Sequence, residues 1–272
     1  MSVRGSTSPA IVLRTIPFGE SDKIVTLLSR DAGKITGIAK GAKRSRKRFG
    51  AALEIFCHIR LDYRERRGSE LAFLERALIL RPWSGLVSSL ERYVAATHVV
   101  EVADKMSAER EVGCDLYDVV VAALERLERA EPCAATLRIF ELAVLAVSGY
   151  GPDFSVCVGC SSELQAFDRG ARLHVPGGGL LCSQCAGPEA SGILLGPESI
   201  DCLHRLSGLV AGGLPNEVRD TFCGTSLFSV DENLEIDSAR HRVASELRLA
   251  VAALIEPHLR SPLRSLDLMS GI

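Results

Sequence analysis

Aromatic side chains are scarce in this 272-residue chain, which has one Trp, four Tyr and nine Phe. That argues against a surface that works mainly by stacking planar ligands on rings. Long apolar runs are missing too: none approaches the ~18–20 uncharged residues needed to span a bilayer. The opening MSVRGSTSPAIVLRTIPFGE carries one early Arg but no apolar core followed by a small-residue cleavage site. A soluble, unexported protein of the cytoplasm is expected, with no membrane partner. No GxxxxGK[ST] loop, HExxH helix or Gly-x-Ser-x-Gly elbow occurs, and the six histidines are scattered. No catalytic residues are nominated and no enzyme activity is expected.

What is present begins with cysteine. Nine cysteines in a long chain, an odd number, do not read as a disulfide framework. Four of them form two CxxC pairs, Cys157 with Cys160 and Cys182 with Cys185, separated by 21 residues that include Pro176-Gly177-Gly178-Gly179. A CxxC turn presents two thiolates to one cation, and two such turns complete the tetrahedral sulfur shell typical of structural zinc. One structural Zn per chain is expected. A pair of redox-active or merely buried thiols is the alternative, but it leaves the second matching pair unexplained. A four-thiolate shell has no open coordination position, so the metal is expected to hold structure rather than catalyse. His174 reads as an ordinary loop or strand residue, and Cys57, Cys114, Cys133, Cys202 and Cys223 as small buried hydrophobes.

The net charge of −2 hides an asymmetry. Met1 to Arg81 holds 17 Lys and Arg against 8 Asp and Glu, whereas the remainder holds 15 against 26. A binding field is local, so the first segment can attract a polyanion while the rest stays acidic. The basic residues concentrate in Lys40, Lys43, Arg44, Arg46, Lys47 and Arg48, ahead of Phe49-Gly50. Many charge runs are only solvated loops. Here Lys34, Arg60, Arg64, Arg66 and Arg67 repeat the sign across the same segment, which favours phosphate binding. With few rings to stack bases, binding should lean on phosphates, with weak sequence preference and strong salt dependence, on single or double strands.

Five stretches rich in Val, Ile, Leu and Phe read as strands: Ala10 to Ile16, Lys23 to Ser29, Lys34 to Lys40, Leu53 to Tyr63 and Glu70 to Leu80. Gly19, Asp31-Ala32-Gly33 and Arg67-Gly68-Ser69 mark turns. Five strands in this length suit an OB-type barrel or another small barrel such as the SH3-like kind. From Arg81-Pro82-Trp83 onward the period turns helical. Leu86 to Met106, with Ser84 as its cap, Cys114 to Ala130, and Pro132 to Val147 follow, Pro132 at a first helical position and Gly149 past the end. A cysteine module occupies about 151–196. Helical pattern returns in Glu198 to Leu209 and Ser238 to Leu259, where Val243, Leu247, Val251, Leu254 and Ile255 line one face. The stretch Val210 to Ile236 is the least legible. The expected class is α+β: a five-stranded OB-type β-barrel domain over 1–81, then a mainly helical domain over 82–272 with an inserted four-cysteine zinc module.

The order of these features resembles the RecO family of DNA repair and recombination mediators. The likeness runs through Ala10 to Thr15, Glu20 to Ile24, Gly37 to Lys43, Phe49 to Phe56, Leu142 to Gly151 with Cys157 and Cys160, Gly178 to Cys185, and Leu263 to Leu268. The resemblance implies binding of single- and double-stranded DNA, annealing of complementary strands, and loading of recombinase onto strands coated by single-stranded DNA-binding protein. It implies RecR and single-stranded DNA-binding protein as partners and a nucleoid-associated location. The DNA contacts it implies fall on Lys40, Lys43, Arg44, Arg46, Lys47 and Arg48, with Lys34 a weaker candidate. A zinc-ribbon RNA-binding or translation-associated protein is the alternative from another class, since OB folds serve RNA as readily.

Overall fold

The computed structural model describes residues 5–65, 68–110, 114–163, 170–187, 192–211 and 234–269. Its contacts group into two compact units, Met1–Pro132 with Arg260–Ile272, and Cys133–Leu259.

In the first unit, β1 (Gly5–Phe18), β2 (Asp22–Ser29), β3 (Gly33–Ala39), β4 (His58–Arg64) and β5 (Ala72–Arg81) close a barrel in the order β1-β2-β3-β5-β4. Strand alternation fills it: Ala10, Val12, Val25, Leu27, Ile59 and Leu61 share one buried cluster. Ile11 and Leu13, on the other face of β1, are buried as well, because α1 (Leu90–Met106) packs against that strand. A register shift between Val12 and Arg14 re-aims the strand, and beyond it Arg14, Ile16 and Phe18 are exposed. All pairings are antiparallel except β3 with β5. That parallel seam is thin, with Gly37 opposite Ala72 and Ile38 opposite Phe73.

The fourth strand begins later than the sequence suggests. Leu53 to Cys57 are not extended: Glu54 and Cys57 donate turn hydrogen bonds to Ala51 and Glu54, and Phe56 takes φ 69. The apolar run there belongs to a loop whose Phe49, Ala52 and Leu53 enter the barrel core, so hydrophobicity without pairing produced a false strand signal. The first helix differs too. Trp83 sits at φ 43 and starts a 3₁₀ turn over Ser84–Val87, and it is Ser89, not Ser84, whose hydroxyl caps α1 by accepting from the Arg92 N–H. Trp83 is buried and its ring stacks on His58 at 5.3 Å. His58 Nε2 lies 2.7 Å from the hydroxyl of Tyr117 in α2 (Cys114–Arg129). Burying this large ring directs the chain away from a continuous helix.

In the second unit α3 (Ala134–Val147) packs against α5 (Pro197–Ala211) and α6 (Leu234–Ile255). The predicted face of α6, with Val243, Leu247, Val251, Leu254 and Ile255, is buried. Pro257 ends that helix and a 3₁₀ turn over Glu256–His258 follows, since proline has no N–H to continue the ladder. Pro132 precedes α3 instead of opening it, because Cys133 takes an extended conformation as the N-cap. At the other end Gly149 adopts φ 81 and donates to Ala146, while Tyr150 donates to Leu145, a Schellman closure that only glycine adopts without strain. Between these helices lie β6 (Asp153–Cys157), β7 (Ala171–His174), β8 (Gly179–Leu181), β9 (Leu194–Leu195) and the single-turn α4 (Ser183–Ala186), with the strands in the order β6-β8-β7-β9. Most of Val210 to Ile236 lies outside the described residues, among which no helix is long and apolar enough to cross a membrane.

A Cβ at Gly37 would lie 2.5 Å from Leu74 Cδ2 and 3.0 Å from the Ala72 carbonyl oxygen, at the seam that closes the barrel. Gly37→Ala is therefore expected to destabilise the protein by about 1–3 kcal/mol, the usual cost of overpacking, read as a lower urea midpoint.

Candidate functional site

The two CxxC turns meet. β6 delivers Cys157 and the parallel strand β8 delivers Cys182, with Cys157 in register with Leu180. Ser161 at φ 60 lets the chain fold back, so that its N–H donates to the Cys157 carbonyl while the Cys157 N–H donates to Ser162. Gly159 passes so close to the second turn that a Cβ there would sit 3.1 Å from Cys185 Cβ and 3.2 Å from its sulfur. The Sγ atoms of Cys157, Cys160, Cys182 and Cys185 all lie within 4.8 Å of one another, and those of Cys160 and Cys182 are 3.8 Å apart. A tetrahedron with metal–sulfur bonds of 2.3 Å has edges of about 3.8 Å, so the donor set fits zinc in number, chemistry and size.

The backbone favours thiolates here. The N–H groups of Gly159 and Cys182 point at Cys157 Sγ, at 3.4 and 3.3 Å. Burial opposes ionisation of Cys157, but N–H donors from Cys182, Cys160 and Gly159 outweigh it and lower its pKa. Ser162 holds Cys160 down at about 6, and sharing a proton with Cys160 and Cys182 pushes Cys185 up to about 12. Like charges this close cannot all ionise without a cation between them. His174 stands apart from the sulfurs in its bonding: its Nδ1 accepts from the Gly177 N–H at 3.0 Å. Of the other cysteines, Cys57 is buried and Cys202 half-buried, but Cys133 is exposed, since the N-cap position of α3 faces solvent. The side chains of Cys114 and Cys223 lie outside the described residues.

Lys40, Lys43, Arg44, Arg46, Lys47 and Arg48 are all exposed, on a loop that is nevertheless fastened to the barrel. Asp22 Oδ1 accepts from the Gly41 N–H at 2.8 Å, and Lys43 donates from its N–H to Ser21 and from Nζ to the Gly19 carbonyl. The Gly41 N–H, then Ser21, hold the Asp22 carboxyl below its usual range. Arg48 donates to the Lys40 carbonyl at 2.7 Å and lies over the Phe49 ring, while its own carbonyl accepts from Ala77 in β5. Phe49 and Ala42 are buried below. The side chains of Arg44, Arg46 and Lys47 make no hydrogen bond or ion pair among the described residues, so their charge is displayed outward.

Lys34 is placed differently. It is buried, with Nζ 2.6 Å from Asp104 Oδ1 and 2.6 Å from the Asp104 carbonyl oxygen, tying β3 to α1. Its charge is spent inside the fold. Arg64 pairs with Glu75 at 2.5 Å, and Arg66 and Arg67 lie outside the described residues. Of the barrel aromatics, Phe49, Phe56 and Tyr63 are buried and Phe73 half-buried, which leaves Phe18, 51% exposed at the β1–β2 hairpin, beside the Gly19 carbonyl that Lys43 holds. Its exposure was not legible in sequence, because strand alternation alone assigns no face to water.

Since Asp22 fastens the loop without charge balance to spare, Asp22→Ala should leave the fold intact and make the amides of Gly41, Arg44 and Ser45 exchange several-fold faster in hydrogen–deuterium measurements. Because the carboxylate is the acceptor and its pKa is lowered, the same loosening is expected in the unsubstituted protein only as pH falls below the ordinary Asp range.

Comparison with known proteins agrees with this geometry. The model described as Recombination protein O N terminal matches residues 1–83, the barrel, and that described as Recombination protein O C terminal matches residues 87–220. The DNA repair protein RecO of Anaeromyxobacter dehalogenans is 33% identical over 249 residues, covering 92% of this chain and 89% of that protein. That of Nocardioides is 34% identical over 260 residues, covering 94% and 96%, and that of Bifidobacterium adolescentis 31% over 262, covering 95% and 96%. With both family models matched and relatives aligned along nearly their whole length, the chain belongs to the RecO family of DNA repair proteins.

Proposed function

We propose that this chain is a non-enzymatic mediator that binds single- and double-stranded DNA through phosphate contacts on the barrel loop, anneals complementary strands, and helps load recombinase onto strands coated by single-stranded DNA-binding protein. RecR and single-stranded DNA-binding protein are the partners in this reading, and the cytoplasmic nucleoid its place of action. The observation that carries it is the loop itself: six exposed cations held in a defined conformation, three of them, Arg44, Arg46 and Lys47, with side chains that make no hydrogen bond or ion pair among the described residues, in a member of a DNA repair family. An ordered loop gives up little further conformational entropy on binding. Phosphate neutralisation lowers strand repulsion and leaves base edges free to pair, which suits annealing better than sequestration.

Within this reading the contacts fall to Lys40, Lys43, Arg44, Arg46, Lys47 and Arg48. Lys34 serves by supporting β3, and the binding unit is the barrel up to Arg81, the helical part following from Pro82. Cys157, Cys160, Cys182 and Cys185 hold one structural zinc that pins the module at about 151–196.

Each phosphate contact should contribute about 0.7 to the slope of log affinity against log salt for single strands and about 0.9 for duplex. Replacing Arg44, Arg46 and Lys47 by Ala is expected to weaken binding to unrelated sequences equally and make the single-strand slope shallower by roughly 2, at unchanged melting temperature. An unchanged slope would mean that the run is only a solvated face. Equal affinity for RNA and DNA strands of one sequence would favour the RNA-binding alternative.

Elemental analysis of reduced protein is expected to give one zinc per chain. Cys157→Ser should remove it and expose residues 151–196 to protease while the loop still binds DNA. Metal-free protein with an intact module would refute the zinc assignment.

A further inference from the structure

The closing segment of the chain returns to the barrel unit and builds a second cationic surface there. The N–H groups of Arg264 and Ser265 donate to the two carboxylate oxygens of Glu101, at 3.0 and 2.8 Å, and Lys105 bonds both Glu101 and the Pro262 carbonyl. Ser265 Oγ sits 2.9 Å from His98 Nδ1. Between this segment, α1 and β1 lies a cleft of about 740 Å³, with Leu13, Ile55 and Val100 among its walls. That is within the ~300–1,000 Å³ range of small-ligand sites.

Its charges do not balance. Glu101 is answered by Lys105 and the two N–H groups; burial opposes its ionisation, but the bonds from Lys105, Ser265 and Arg264 hold its pKa at about 2. Asp104 is answered by Lys34. Arg14, Arg260 and Arg264 also line the cleft, all exposed, and their guanidiniums make no hydrogen bond or ion pair among the described residues. Three uncompensated guanidiniums around one cleft suit an anion with several acceptor oxygens, and guanidinium forks match phosphate geometry.

Position identifies the anion. Arg14, Ile16 and Phe18 alternate along one face of β1, so Arg14 and Phe18 are about 13 Å apart along the strand. Phe18 adjoins Gly19, whose carbonyl is held by Lys43 of the basic loop. The exposed face of β1 therefore runs from one unpaired cationic surface to the other. We propose that the Arg14, Arg260 and Arg264 cleft is a second phosphate anchor for a single DNA strand that leaves the basic loop and lies over Phe18 and Ile16. The inference rests on the DNA-binding function proposed above and adds the course of the strand to it.

The test uses the full chain and an oligodeoxythymidylate of roughly 20 nucleotides, longer than the ~4–16 nucleotide sites of single OB folds. Arg260→Ala with Arg264→Ala is expected to make the salt slope shallower by about 1.4, and Arg14→Gln alone, on a different element, by about 0.7. Both effects should add to that of the loop variant. Slopes equal to the unsubstituted protein in both variants, with the loop variant still impaired, overturn the second anchor and leave the loop reading standing. Loss of binding to a labelled hexaglutamate peptide without change in the DNA slope also overturns it, in favour of an acidic protein partner. If the unsubstituted protein fails to bind the oligonucleotide at all, the DNA-binding function itself falls.

Discussion

Burial of Phe49, Ala52 and Leu53 in the barrel core is the constraint on which the rest of the first unit depends. Fixing a backbone residue costs about 1–2 kcal/mol of conformational entropy, and fully burying one Phe returns about 1.5–3. One ring therefore cannot order a loop from Lys40 to Cys57. The sequence interleaves several apolar residues with the cations and supplements them with hydrogen bonds from Gly41 to Asp22, Arg48 to Lys40 and Ala77 to Arg48. Charge and apolarity share one segment because the apolar residues anchor what the charged ones display.

That sharing also marks where sequence reading succeeds and fails. Strands β1, β2, β3 and β5 were legible because their stretches rich in Val, Ile, Leu and Phe, set between turn residues, coincide with the paired segments. The start of β4 was not, since Leu53 and Phe56 are apolar for a reason unrelated to pairing. The four cysteines were legible because ligand spacing is a local property of two turns. Lys34 shows the limit of arguing from sign: its charge matches that of the loop, but its partner, Asp104, is 70 residues away and only the fold brings them together. Arg14, Arg260 and Arg264 are further apart still, and nothing local in either segment marks them as neighbours. Cys133 was misread for a simpler reason, since cysteine's preference for burial yields to the exposure of a helix N-cap.

The cysteine module presents a different balance. Its strands hold five, four, three and two residues, far too little sheet to be stable by itself in water. A covalent or metal cross-link compensates for a missing core in such small elements. The N–H groups aimed at Cys157 and the close passage of Gly159 past Cys185 form a backbone shaped around sulfur.

The return of Arg260–Ile272 to the first unit bears on the order in which the molecule can be completed during synthesis. The barrel and α1, which ends at Met106, are synthesised about 160 residues before Arg264 and Ser265 can reach Glu101. At roughly 5–20 residues per second the delay is roughly 8 to 32 s. Throughout that interval, among the described residues, the side chains of Glu101 and Lys105 bond only each other, and the cleft has one wall missing. The nascent barrel thus passes through a stage with its basic loop already available and its second cationic surface not yet assembled, so a chain released early would lack the final part of its first unit rather than merely a tail.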